Sequence, residues 1–154
     1  MNETIEPIRA ASVLMSALSS TLAEFAFIDV EPAGTGDSSS PVKTPVRAAI
    51  DVLKPVSCRI EIECPISLRN RIEETLFQGQ GEAGDGDDSL LEILNVAAGV
   101  FLTSYFGPEV DIKLELPQYL YVSGPDEGAI LAEAAGDAEG EPISAVLRSV
   151  RYRY

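Results

Sequence analysis

Between Val56 and Cys64 the chain alternates: Cys58, Ile60, Ile62 and Cys64 on one parity, Arg59, Glu61 and Glu63 on the other. A period of two is the signature of a strand, and this one has one apolar face and one charged face. Such a strand belongs to a sheet buried on one side and wet on the other. Lys54 and Pro55 make a turn to a preceding strand, Pro45 to Leu53, so the pair reads as a hairpin. A second alternating run sets Val110, Ile112, Leu114 and Leu116 against Asp111, Lys113 and Glu115, and Pro117 ends it.

The cover for the apolar face comes from helices. Ile8, Leu14, Leu18, Leu22 and Phe25 mark a first helix over residues 4–26, with Thr4 as a cap and Pro7 in its first turn. A shorter helix over 68–78 follows Ser67, and a long one runs from about 89 to 106, where Gly107-Pro108 stops it. Short strands are expected at 27–31 and at 143–152. The parity of the last slips near Arg148-Ser149, which suggests a bulge or an edge. Residues 33–44 and 79–88 read as loops, and so does most of 124–141, with an extended stretch near Ile130-Leu131. The order is αβββααββ. It predicts one α+β domain over residues 1–154: two layers, a mostly antiparallel sheet packed against two long helices. Each long helix is followed by strands, which hints at duplication, although no residue-level repeat accompanies it.

Charge and composition narrow the function. The net charge is −14 and the pI near 4.2, so the chain repels phosphate backbones and is not expected to bind nucleic acid. The N-terminus is polar and acidic, unlike a signal peptide, and no continuous apolar run approaches the ~18–20 residues that span a membrane. Cys58 and Cys64 share one strand face and lie too far apart to meet, which fits core thiols in a reducing cytoplasm. There is no histidine, which removes the commonest general base and the Ser-His-Asp and Cys-His systems. No metal site is expected, and neither GxxxxGK[ST] nor GxGxxG occurs. Chemistry here must rest on carboxylates, amides or groups supplied by a partner.

The long third helix holds the strongest candidates. Leu90, Leu91, Leu94, Ala98, Phe101 and Tyr105 recur at helical spacing and form a broad apolar face. At about 100° per residue, Asp88, Glu92, Asn95, Gly99 and Thr103 fall in a narrow stripe away from it. An acid and an amide therefore project side by side, and Gly99 leaves the surface open to another molecule one turn on. A second reading makes this a helix start: Ser89-x-x-Glu92 has the form of a capping box, with Asp88 as an alternative N-cap.

With these residues in view, the chain resembles the CheC/CheX/FliY family of chemotaxis phosphatases, most closely its CheX-like branch. The signature reads Asp88-x3-Glu92-x2-Asn95-x21-Pro117. Its context agrees: an alternating strand ending in Pro65, a helix, a variable loop, then Leu-Leu-Glu-Ile-Leu-Asn-Val-Ala-Ala-Gly. The resemblance implies a CheX-like fold and hydrolysis of the phospho-aspartate of a CheY-like response regulator. It casts Asn95 as the residue that orients the attacking water and Glu92 as the one that docks the receiver lysine, with Asp88 and Gly99 at the binding surface. It implies no cofactor on this chain, Mg²⁺ on the partner receiver, and a homodimer, for which the strand from Arg148 to Tyr154 offers an edge. Aligning the first helix as Leu22-Ala-Glu24-Phe-Ala-Phe27 puts Phe27 at the amide position, so one site is expected. The alternative within the same fold is a non-catalytic receiver-binding or flagellar-switch-type scaffold.

Overall fold

A computed structural model describes residues 5–32, 45–77, 89–120 and 128–150. Helix α1 (Pro7–Ala26) begins at Glu6, whose carboxylate accepts from the amides of Ile8 at 3.3 Å and Arg9 at 2.8 Å, with Pro7 pre-set for the first turn. Glu6 takes the capping role expected of Thr4, which lies outside the described residues. Strands β1 (Val30–Pro32), β2 (Pro45–Lys54) and β3 (Cys58–Pro65) follow. Helix α2 (Ile66–Phe77) and helix α3 (Ser89–Phe106) come next, then β4 (Lys113–Leu114), β5 (Gln118–Leu120), β6 (Ile130–Ala138) and β7 (Glu141–Ser149). Ser67 is helical rather than a cap, and its hydroxyl donates to Glu141.

All pairings are antiparallel, in the order β1-β6-β7-β3-β2-β4, with β5 also paired to β2. Ile50, Val52, Cys58, Ile60, Ile62, Cys64, Ala145 and Leu147 point to the helices and merge with Leu14, Leu18 and Leu22 of α1 and Leu90, Leu94 and Phe101 of α3. Each fully buried aliphatic of this kind contributes about 1.5–3 kcal/mol. The opposite face carries Arg47, Asp51, Arg59, Glu61 and Arg148, tied in ion pairs. The alternation of β3 thus separates an apolar from a charged face. The architecture is α+β in two layers as expected, with α2 as a third, shorter helix.

The sheet order conceals a pseudo-twofold. Exchange β1 with β4, β2 with β6, β3 with β7 and α1 with α3, leave out the short β5 that pairs β2, and the strand order is unchanged: two α-β-β-β halves meet where β3 pairs β7. Each half ends its long helix in a residue of positive φ, Phe27 (φ 56°) in the first and Gly107 (φ 110°) in the second. Aligning those ends superposes the buried positions Ala10, Leu14, Ala17 and Leu18 on Leu90, Leu94, Ala97 and Ala98. The duplication is one of backbone and burial, not of residue identity.

Several expectations are corrected. Residues 130–138 form a full strand of nine residues, not a loop. The run 110–116 is strand only at Lys113–Leu114, and Leu116, expected to point inward, is 88% exposed. β7 is interior, held by β6 and β3, so it offers no free edge at Arg148-Ser149. The irregularity expected there is real but sits on its partner, where the register shifts between Ile130 and Ala132 opposite Arg148 and Leu147. Helix α3, at 18 residues, is by length and composition apolar enough to cross a membrane, against the expectation that no apolar run approaches that length. Half of it is buried in this domain, which accounts for its apolarity. Residues 33–44, 78–88 and 151–154 lie outside the described residues, including Asp88, the acidic loop and Arg151 to Tyr154.

Candidate functional site

Helix α3 is buried along Leu90, Ile93, Leu94, Ala97, Ala98, Phe101, Leu102 and Tyr105. Opposite them, Glu92 and Asn95 are both exposed, three residues apart and hence on neighbouring turns of one face. Gly99 continues the stripe. A Cβ built on it meets nothing within 4 Å, so nothing among the described residues requires a glycine there. Mid-helix glycine costs about 1 kcal/mol relative to alanine. Val100, 36% exposed, and half-buried Thr103 extend the same surface.

The capping box does not form. Ser89 is already helical and 4% exposed, and its Oγ has no hydrogen-bond partner. Glu92, which the box would fold back on the chain, is exposed instead. Glu92 and Asn95 are therefore free to meet another molecule. Asp88, expected beside them, lies outside the described residues.

The pseudo-twofold identifies the counterpart of this stripe on α1. Matching the two helix ends sets Ser12 opposite Glu92, Met15 opposite Asn95 and Ser19 opposite Gly99. This corrects the alignment through Glu24 and Phe27: Glu24 stands in the last turn of α1 and Phe27 lies past its end. The outcome is the same by another route, since Ser12 and Met15 supply neither acid nor amide. Ala11, Ser12, Met15, Ser16 and Ser19 line a groove of about 460 Å³ against Val30 and Pro32 of β1 and residues 133–135 of β6. Met15 is buried in its place, whereas Asn95 stands exposed. The second half thus presents openly what the first half covers.

Chemically the stripe offers one carboxylate and one amide. The amide oxygen accepts and its NH₂ donates, so Asn95 can hold a water but is no base. Glu92 is an acceptor for a cationic partner. Among the described residues no three acidic or thiol side chains gather to hold a metal ion. Cys58 and Cys64 are both buried and free, and burial first, then neighbouring carboxylates, pushes each thiol up to about 12. Neither is a nucleophile at neutral pH.

No family model matches the chain, and no curated protein matches it. Solved structures do. CheX from Desulfovibrio desulfuricans aligns over 90% of this chain and 97% of its own, with a TM-score of 0.70 at 12% identity. CheX from Vibrio vulnificus aligns over 91% and 98%, with a TM-score of 0.68 at 13% identity. The Borrelia burgdorferi CheX-CheY-BeF₃-Mg²⁺ complex aligns over 94% and 97%, with a TM-score of 0.60 at 17% identity. CheC-like, FliY and FliM structures share the fold. The chain therefore has the CheX fold, shared at sequence identities that speak for the backbone alone.

Proposed function

We propose that this protein accelerates hydrolysis of the phospho-aspartate of a CheY-like receiver domain. The observation that carries this reading is the exposed Glu92–Asn95 pair, followed by bare Gly99, on the open side of an otherwise buried helix. The partner class is supported by the CheX-CheY-BeF₃-Mg²⁺ complex of the same fold.

An acyl phosphate is already activated, and a receiver brings its own Mg²⁺ and lysine. What is missing is a water held in line with the scissile bond. Asn95 accepts a hydrogen bond from that water and directs its oxygen at phosphorus. The new P–O bond forms as the bond to the receiver carboxylate breaks, yielding phosphate and a free aspartate. Glu92 meets the receiver lysine in a charge-assisted hydrogen bond and fixes register. Asn95 takes no proton, so the step needs no histidine. Both proteins are expected in the cytoplasm. A homodimer that extended the sheet would do so through β1 or the β4–β5 side, the sheet borders among the described residues.

The second reading is a non-catalytic receiver-binding module, supported by the likeness to FliY and FliM. Decay of a phosphorylated receiver, followed with and without this protein, separates the two. Faster decay that Asn95→Ala abolishes while binding persists establishes the hydrolytic reading. Binding with unchanged decay leaves the scaffold. Glu92→Ala should weaken binding in either case.

A further inference from the structure

The charged face of the sheet holds a cavity of about 260 Å³, lined by Arg47, Glu61, Glu63, Glu133, Val146 and Arg148 among others. Glu61 is unusual for a residue on such a face. It is 3% exposed, and its buried Oε2 accepts no hydrogen bond. The other oxygen accepts from Arg47 at 3.0 Å, while Arg148 Nε stands 3.1 Å from Oε2, out of line. Buried acceptors in native folds find donors, so a buried oxygen without one beside a cavity points to a donor from outside the chain.

The strand register shows what the cavity offers such a donor. Val146 pairs with Glu61 on one side and with Glu133 on the other, so the three side chains stand on one face with the valine between the two acids. Cross-strand partners lie about 5 Å apart at Cα, which sets the two acids about 10 Å apart. The arginines are already engaged: Arg47 with Glu61 and Glu63, and Arg148 with Glu61 and the carbonyl of Gly128. Glu133 is exposed and makes no ion pair among the described residues. Three carboxylates and two guanidiniums leave the lining one positive charge short of balance. Among the described residues no three acids gather to hold a metal ion. The methyls of Val146, between the acids, favour a cation that is part apolar.

We infer that this cavity binds a primary alkylammonium ion, whose nitrogen donates to Glu61 Oε2 and to Glu133 and whose methylenes lie over Val146. One ammonium supplies both the missing charge and the missing donor, through charge-assisted hydrogen bonds. The volume falls below the roughly 300–1,000 Å³ of pockets for drug-sized ligands, so the amine is short. The site lies across the sheet from α3, so filling it leaves Glu92 and Asn95 open, and it stands or falls independently of the proposed function.

The test is titration of the folded chain with butylammonium chloride, followed by amide chemical shifts, against tetramethylammonium chloride at the same ionic strength. Butylammonium is expected to saturate with a millimolar Kd and to move the amides of Glu61, Glu133 and Val146. Tetramethylammonium has no N–H and should not. Glu133→Gln, at an exposed position, should keep the thermal midpoint and bind about tenfold more weakly. Ser144→Leu fills the cavity from β7 and should weaken binding as far without touching a carboxylate. Tighter binding of Nα-acetyl-lysine methylamide than of butylammonium assigns the ammonium to a partner's lysine side chain, and the reverse assigns it to a free amine. Equal shifts from both salts, or unchanged binding in both variants, would show diffuse attraction of cations to a chain of net charge −14 and overturn the inference. A response that never saturates overturns it too and leaves Glu61 Oε2 to an ordered water.

Discussion

The backbone amide of Glu6 donates to the hydroxyl of Tyr105 at 2.8 Å, joining the start of α1 to the end of α3. Arg9 completes the joint: its Nη2 donates to the Tyr105 carbonyl at 2.9 Å, and its guanidinium lies 4.3 Å from the Tyr105 ring centroid. Tyr105→Phe keeps the ring and removes the hydroxyl, leaving the Glu6 amide unpaired at a partly buried position. The expected loss is about 1–2 kcal/mol, read as a lower urea midpoint at unchanged slope. The joint lies at the far end of the helix pair from Glu92, so receiver decay at saturation should not change.

Glu61 is 4% exposed in its side chain and lies between two arginines, 3.0 Å from Arg47 Nη2 and 3.1 Å from Arg148 Nε. The second contact is an ion pair out of line for a hydrogen bond. Removing the carboxylate leaves two guanidiniums facing each other across β3. Glu61→Gln should therefore cost about 3 kcal/mol, seen in thermal or urea unfolding. A change within experimental error would show that the arginines re-pair with Glu63 or Asp51.

Gly99→Ala separates folding from partner contact. The added methyl meets no atom of the described residues, so helix propensity should raise stability by about 1 kcal/mol. Receiver binding should fall in the same variant and fall further in Gly99→Leu, because the proposed function brings the receiver onto the bare stripe beside Asn95. Titration of the beryllium fluoride-loaded receiver against each variant checks this.

The two thiols make the fold sensitive to alkali. Burial raises Cys58 and Cys64 from an ordinary 9.0 to about 12 in the folded chain. The native state thus holds protons that the unfolded state releases first. Their contribution is complete below pH 9 and is lost as pH rises from 9 toward 12. Thermal unfolding followed across that range should show a falling midpoint, and Cys58→Ala/Cys64→Ala should flatten the fall. At pH 8 neither thiol should react with an alkylating reagent until urea exposes it.

Strand β6 was the hardest element to read. Ala132, Glu133, Ala134, Ala135, Gly136 and Asp137 favour no strand by themselves. They become one because β7 pairs along the whole segment and β1 pairs with its end at Gly136–Ala138. Small residues are needed there: a Cβ on Gly136 would come within 2.9 Å of Val30 Cγ1 and 3.1 Å of Met15 Sδ. Leu116 failed the opposite way, since its alternation with Glu115 looked regular while the strand stopped at Leu114. Glu92 and Asn95 were legible because their phase on α3 follows from helical geometry and the surrounding apolar residues. Their counterpart on α1 was not, because matching the halves requires the helix ends and the sheet order.

The residue order already settled which faces of β3 and α3 are buried. Periods of two and of 3.6 residues are local properties, written in Cys58–Cys64 and in Leu90–Tyr105 without reference to the rest of the chain. It also shows that the chain has no histidine and neither GxxxxGK[ST] nor GxGxxG. Tertiary structure alone made β7 interior, related the two halves by a pseudo-twofold, and left Phe27 and Leu116 exposed. Those facts depend on pairings between residues tens of positions apart, such as Ile62 with Ala145, and no local pattern encodes which distant strand a given strand will join.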